Sequence, residues 1–398
     1  MDRRLLVLAL GMFALGTDSF VVAGVLPEIA RGFDVSIGAA GQMTTIYAVT
    51  YALLTPVIAA LAAHVARKQL LLAGLAVFVI ANLGTAFASS FGIALATRAL
   101  AGLGAAMFSP TATGAAASIV APERRGFALS VVIAGMTVST ALGAPIGALI
   151  GGLGDWHWTM VFVAALAAAS GLGVLVFLAH IPMPPAVPLT RRVAPLADAR
   201  IGLMLATTFL FFGAAFTIYT YFAVVFDRAI GGNPALFSGL LVLWGAAGTV
   251  SNLLAGQLVD RVGNRKVLVT MLALVLADFL LLSWSSTNLW TAIPAVVLWG
   301  ACGWGILVPQ QHRIVSIARP IAPIVLGLNN SATFLGSTAA GIIGAVGIDV
   351  VGGHELGTVA AVLVAAALIV SELAARSIVA SNPNTPLPSA GVPQQGKA

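Results

Sequence analysis

The sequence predicts an all-α membrane protein, with twelve transmembrane helices in two six-helix bundles that repeat in parallel. Three observations predict it. The 398 residues are 60% hydrophobic and only 8% charged, against roughly 25% charged in soluble domains. The lysines and arginines gather on alternate turns between apolar blocks. Two short motifs recur at a single offset close to half the chain length.

The apolar blocks give the elements. A bilayer-spanning helix needs roughly 20 mostly apolar residues, and blocks such as 70–88 approach that length repeatedly. The spans expected in the first half are 5–26, 42–63, 69–88, 92–118, 127–151 and 158–180. Those in the second are 201–226, 236–258, 267–286, 290–311, 322–347 and 355–378. Arg3 and Arg4 before the first block would also suit a secretory signal. The block contains Asp18 and lacks a small-residue cleavage site, so it reads as a permanent span. The 43 glycines suit membrane bundles, where small residues let helices approach. The domains expected are 1–180, a cytoplasmic central loop 181–200, 201–380, and a disordered cytoplasmic tail 381–398 with four prolines.

Charge placement gives orientation, because cytoplasmic turns collect Lys and Arg. One side receives Arg3, Arg4, Arg67, Lys68, Arg124, Arg125, Arg191, Arg192, Arg200, Arg261, Arg265, Lys266, Arg313, Arg319, Arg376 and Lys397. That is sixteen of nineteen; Arg31 and Arg228 fall on the other side and Arg98 within a span. Both termini are therefore expected in the cytoplasm. This placement also accounts for the net charge of +6 without nucleic acid.

The repeat follows from spacing. Arg67-Lys68 and Arg265-Lys266 stand 198 residues apart, as do Ser139–Gly143 (STALG) and Ser337–Gly341 (STAAG). An even number of spans per unit makes the repeat parallel, which places a binding site near the midplane between the halves. Two halves that supply each other's partner surface imply a monomer.

Ionisable residues inside spans are costly and need a partner, water or a function. Asp18 lies about 12 Å below the outer end of the first span, and Arg98 about 10 Å below the outer end of the fourth, at roughly 1.5 Å per residue. The matching depths allow a pair, which serves either as a proton-binding site tuned by Arg98 or as a purely structural ion pair. Asp278, in the ninth span, has no obvious partner. Polar and aromatic residues also recur within spans, among them Tyr47, Tyr51, Tyr219, Trp244, Asn252, Trp299, Trp304, Gln310, Asn329 and Asn330. Stacking rings with a few amides suit a flat, partly polar organic molecule; interhelical packing is the competing reading for each residue alone. The five histidines form no ligand cluster, Cys302 is single, and no phosphate-binding loop is present. No metal, no cofactor and no enzymatic activity are expected.

The turn Gly256-Gln257-Leu258-Val259-Asp260-Arg261-Val262-Gly263-Asn264-Arg265-Lys266 resembles the signature loop of the major facilitator superfamily, and the likeness extends over the chain to about residue 380. In the first-half copy Ala59, Ala63 and Ala66 stand where Gly, Asp and Gly are usual, leaving Arg67 and Lys68; a charge lock there is open to question. Arg98 with Gly102 is similar to the family's fourth-span motif, linked to proton coupling. Gly143-Ala144-Pro145-Ile146-Gly147 is similar to the fifth-span motif of drug/proton antiporters, with Ala144 where Gly is usual. Residues 40–68, 299–311 and 328–332 look closest to bacterial purine base and nucleoside efflux pumps; chloramphenicol and sugar exporters are of the same general type. The resemblance implies alternating access in the bacterial inner membrane, a small-molecule substrate, protons as co-substrate and Asp18 with Arg98 as the coupling pair. A proton-coupled importer on the same fold, a membrane enzyme or sensor, and a channel are the rivals. Span 5 argues against the first, the missing catalytic cluster against the second, and the missing ring of pore charges against the third.

Overall fold

The computed structural model describes residues 2–121, 124–178, 181, 189–318 and 321–380. His180, Arg319 and the tail 381–398 lie outside them, as does most of the first half of the expected central loop. Twelve helices cross the molecule: α1 Arg3–Val21, α2 Ile37–Leu61, α3 Arg67–Ala86, α4 Phe91–Ser118, α5 Arg125–Val138 continuing to Leu153, and α6 Trp156–Phe177. The second six are α7 Ala199–Thr220, α8 Pro234–Val262, α9 Asn264–Leu280, α10 Leu289–Gly305 continuing to Ile317, α11 Ala322–Val351 and α12 Leu356–Ala380.

Eleven of these are long and apolar enough to cross a membrane. The exception is α9, at 17 residues. It breaks at Leu281 and resumes for one turn, Leu282–Ser285. The break lies where α12 comes closest, with a Cβ on Gly357 placed 2.7 Å from the Phe279 carbonyl oxygen.

Helix starts are set by caps rather than by hydropathy. Ser36, Asp155, Asn233 and Asn288 accept hydrogen bonds from the first free amides of α2, α6, α8 and α10, satisfying donors the helix itself cannot. These helices accordingly begin one to five residues before the apolar blocks at 42, 158, 236 and 290 do. A short helix Leu26–Gly32 and the segments Leu189–Val193 and Ala194–Ala197 occupy stretches expected as loop. The seventh span ends at Thr220 rather than 226, and two single turns follow it.

The packing is a repeat. In the first half α1 packs on α5 and α6, α4 on α2 and α3, and α3 on α6; in the second, α7 packs on α11 and α12, α10 on α8 and α9, and α9 on α12. Adding six to each helix number turns the first set into the second. The halves meet along two seams that obey the same rule, α2 on α11 and α5 on α8. The recurring motifs sit on these seams: Ala141, within Ser139–Gly143, lies against Gly245 of α8, and Gly341 lies against Thr45 of α2.

The start of α1 at Arg3 and the end of α12 at Ala380 lie on one face. The seams are tightest toward the other: Gly24 packs against Phe237, Gly152 against Pro234 and Gly38 against Ala345. At mid-depth Tyr51 of α2 still reaches α11, its ring 4.0 Å from that of Phe334 between centroids. Nearer the termini, the linker helix Leu189–Val193 packs on both α2 and α11.

Candidate functional site

The first cluster is built on α1, α2 and α4. Asp18 and Arg98 are 0% and 1% exposed, and Arg98 Nη1 donates to Asp18 Oδ1 at 2.7 Å. The depth arithmetic thus holds. The guanidinium carbon lies 4.8 Å from the centre of the Tyr47 ring, and Ser19 Oγ donates to the Tyr47 hydroxyl at 3.1 Å. Helices α2 and α4 come this close because Gly102 has no side chain: a Cβ there would stand 2.6 Å from the Tyr47 carbonyl oxygen. The pair is one-legged. Asp18 Oδ2 and Arg98 Nε are buried without a partner among the described residues. A structural pair gains most from two-pronged geometry with every polar atom satisfied; this carboxylate keeps a free oxygen.

The second cluster is aromatic and belongs almost wholly to the second half. Phe212, Phe216 and Tyr219 of α7, Trp244 of α8, and Trp299 and Trp304 of α10 wall a chamber together with Ala215 and Gly303. Trp244 sits between Trp299 and Trp304, with centroids 5.3 and 5.6 Å apart, and Tyr219 lies 4.8 Å from Trp244. Such pairs are each worth about 0.5–1.5 kcal/mol beyond area burial. One ring comes from the first half. Phe20, two residues beyond Asp18 on α1, lies 5.3–6.2 Å from Phe216, Tyr219, Trp244 and Trp304. The Tyr219 hydroxyl donates to the Phe20 carbonyl at 2.9 Å.

The predicted amides form a third group. Gln310 Nε2 donates to the Met204 carbonyl at 2.6 Å and to Thr208 Oγ1 at 3.1 Å. Thr208 donates to Asn329 Oδ1 at 2.7 Å. Gln310 Oε1 is buried without a donor among the described residues. Asn330 is exposed and reaches across the seam to the Tyr51 hydroxyl at 3.5 Å, which itself donates to Ser109 at 3.2 Å. Asn252 stands apart, half-buried on α8 and without a hydrogen bond among the described residues.

The signature loop is also in place. Gly263 between α8 and α9 has φ +87°, a left-handed conformation that glycine adopts without strain. Arg265 pairs with Glu372 of α12. Asp260 and Arg261 are exposed and Gly256 is half-buried, and neither Asp260 nor Lys266 forms an ion pair among the described residues. In the first half Arg67 donates to Ser118 and Lys68 to the Leu175 carbonyl, both at 2.9 Å. Gly143 and Gly147 face Thr17 and Val21 of α1. The turn Ser139–Gly143 is π-helical, and Pro145 opens the helix that follows; the widened turn is where α5 crosses α1 and α8. A larger groove of about 740 Å³ runs along α8 from Leu243 to Arg261. Of the predicted residues it holds only Arg261.

One reading is corrected. Arg313, counted among the loop cations, lies within α10 and is 6% exposed. It donates to the hydroxyl and carbonyl of Ser371 on α12, both at 3.2 Å. The tenth span extends to Ile317 rather than 311, which carries Arg313 inward. Phe20, Ser109, Thr208 and Glu372 were not singled out by sequence. Thr208 and Ser109 pair with predicted residues, but no spacing rule links them. Asp278 is buried on α9, which packs on α10 and α12, with Oδ2 unpartnered among the described residues.

The chain matches the Major Facilitator Superfamily over residues 8–320. It is 30% identical over 348 residues to the Inner membrane transport protein YdhP of Escherichia coli (strain K12), covering 86% of this chain and 89% of that one. A Chloramphenicol resistance protein of Streptomyces lividans is 30% identical over 66% of this chain and 68% of its own. A "Probable sugar efflux transporter" of Helicobacter pylori (strain ATCC 700392 / 26695) is 25% identical, covering 89% of each. In fold, the crystal structure of a bacterial homologue of the human lysosomal transporter Spinster, inward-facing and unoccupied, matches with a TM-score of 0.77 at 16% identity, over 95% of this chain and 97% of that one. The chain therefore belongs to the major facilitator superfamily and is a multi-pass membrane transporter, not an enzyme.

Proposed function

We propose that the protein exports small organic molecules, drugs or purine-type metabolites, across the bacterial inner membrane in exchange for protons. The observation that carries this reading is the one-legged Asp18–Arg98 pair. A carboxylate sealed from water is costly in the membrane unless it is paired or protonated. Here it is half-paired, on a helix that crosses from the ion pair to the substrate chamber in two residues. Protonation of Asp18 neutralises the carboxylate and leaves the Arg98 guanidinium, which stays charged, facing the Tyr47 ring. The carrier then closes from the outside and reopens toward the cytoplasm with the proton held on a neutral carboxyl, while the charge of Arg98 stays at its place on α4.

The substrate is taken to lie among Tyr51, Tyr219, Trp244, Trp299, Trp304, Gln310, Asn329 and Asn330; Asn252 stands apart from them. The positive-inside count supports cytoplasmic termini. With that orientation the seams are tight outside, and the signature loop gates the cytoplasmic side. Bundles 1–180 and 201–380 would rock about the two seams as a monomer, with lipid around them and no nucleic-acid partner. A chloramphenicol resistance protein and a probable sugar efflux transporter among the relatives support outward flux.

Flux in everted vesicles tests the reading. Chloramphenicol, 6-mercaptopurine and 2-aminopurine are offered with and without a protonophore. Accumulation that the protonophore abolishes, and that Asp18→Asn loses, is expected. Uptake into right-side-out vesicles under an inward proton gradient would instead identify an importer.

A further inference from the structure

The aromatic chamber is full. Its free volume is about 10 Å³, room for about one water, so no organic molecule fits in this conformation. Phe20 packs against four of its walls. That ring is 3% exposed and is ringed by four aromatic side chains of the opposite half, three of them at tilted or edge-on angles of 58–84° and one stacked. This is the geometry in which an aromatic guest is held.

The chamber is nonetheless unsatisfied chemically. The indole N–H groups of both Trp244 and Trp304 are buried and have no acceptor among the described residues. A benzene ring offers them at most its π face, a weak acceptor. Buried donors without partners are costly, roughly 1–3 kcal/mol each, and few in native structures. No carboxylate lines the chamber, so nothing there neutralises a cation.

We propose that Phe20 is a plug standing in the place of the substrate: a planar, uncharged molecule bearing a ring nitrogen or carbonyl acceptor displaces its ring and satisfies the two indoles. The inference rests on the chamber being the substrate site and names the class of molecule it takes. It also gives substrate a mechanical hold on α1. Expelling Phe20 moves the turn that carries Asp18, through the backbone that Tyr219 holds at the Phe20 carbonyl.

Equilibrium dialysis of the full-length protein in nanodiscs, corrected with empty nanodiscs, tests it with three two-ring probes. Coumarin is neutral and carries a carbonyl, naphthalene lacks an acceptor, and N-methylquinolinium is a cation. Coumarin is expected to bind more tightly than either. Phe20→Ala, with the plug removed in advance, is expected to bind coumarin about tenfold tighter, because displacement no longer opposes binding; Phe20→Leu falls between. Trp304→Phe, which leaves only the Trp244 indole as donor, reduces the preference for coumarin over naphthalene. In the otherwise unaltered chain, 4-fluorophenylalanine at position 20 is expected to change its 19F shift on saturation with coumarin. Binding to folded Phe20→Ala and Phe20→Leu that is no tighter than wild type, or an unmoved 19F signal, overturns the plug. The two readings fail separately. If Trp304→Ala leaves both coumarin binding and drug flux intact, the chamber is not the substrate site. If Trp304→Ala abolishes both while Phe20→Ala strengthens nothing, only the plug falls.

Discussion

The two halves share a skeleton and divide the chemistry. Under the offset of 198, Gly102 corresponds to Gly300, and both do the same work. Gly102 lets α4 approach the Tyr47 backbone, and Gly300 lets α10 approach the Trp244 backbone. The functional positions do not correspond. Asp18 is matched by Phe216 and Arg98 by Val296, so the second half holds an aromatic wall where the first holds the ion pair. A repeat fixes backbone approach, because a small residue at a crossing is needed in each copy. It leaves the cavity-facing side chains free to diverge, and the two copies have specialised for charge and for aromatic surface.

The sharpest way to break this division is to disturb each half alone. Arg98→Ala strands a buried carboxylate, which costs about 3–5 kcal/mol. The protein is expected to melt early and to lose driven flux. Asp18→Asn keeps the shape but leaves the Arg98 guanidinium buried without its counter-ion, so some stability is lost with it and driven flux falls at least tenfold, while ligand binding survives. Adding Asp18→Asn to Arg98→Ala is expected to recover much of the stability, since no unpaired carboxylate remains. Melting curves and vesicle flux on the three variants decide this; recovery without any change in coupling by Asp18→Asn would make the pair structural.

Disturbing the other half is expected to do the reverse. Phe216→Leu shrinks a wall of the chamber and changes which compounds are exported, by a few-fold in competition assays, while protonophore sensitivity persists. If Phe216→Leu uncouples flux from protons and leaves the substrate range intact, the division of labour is wrong.

The shared skeleton gives a third, smaller effect. Gly102→Ala and Gly300→Ala each place a methyl against a backbone carbonyl, an overpacking that costs about 1–3 kcal/mol. Equal losses of melting temperature in the two variants are expected from the repeat. A large loss in one half alone would mean the crossings are not equivalent.

What the sequence disclosed about this division follows from the physics of each signal. A lone carboxylate and a lone arginine in apolar surroundings stand out, and helix rise is constant, so depth alone paired Asp18 with Arg98. Tyr219, Trp244, Trp299 and Trp304 were legible as polar-tipped rings, and the structure brings them together. Phe20 was not, because a phenylalanine facing a chamber and one facing lipid look alike in hydropathy; only the fold tells them apart. Arg313 misled for a related reason. A cation one turn from a span end reads as a loop residue, and its partners on Ser371 come from a helix 58 residues away. The broken end of α9 carries no proline to announce it. Asn252 carried the same polar signal as Asn329, but it faces neither the amide group nor any other described partner.

The smallest effect tests a symmetry that none of the motifs announced. Asp2 caps α1 and Asp198 caps α7, each followed two residues later by an arginine. Asp2 accepts from the Arg4 amide at 3.0 Å and Asp198 from the Arg200 amide at 2.9 Å, and each carboxylate also accepts from that arginine's guanidinium. The hydrogen bond from the neighbouring guanidinium is the main reason both carboxyls sit below the usual carboxylate range. A depressed value means the folded state holds the charged form. The stabilisation is present above the unfolded value, about 3.9, and is lost as pH falls through the folded one. Loss of such a cap costs about 1 kcal/mol. The Asp198 side chain is 10% exposed and that of Asp2 31%, so Asp198→Ala is expected to lower the melting temperature more than Asp2→Ala at pH 7. Both gaps from wild type are expected to hold from pH 7 down to about 4 and to close below it. A gap that stays open in acid would assign the stabilisation to the shape of the cap rather than to its charge.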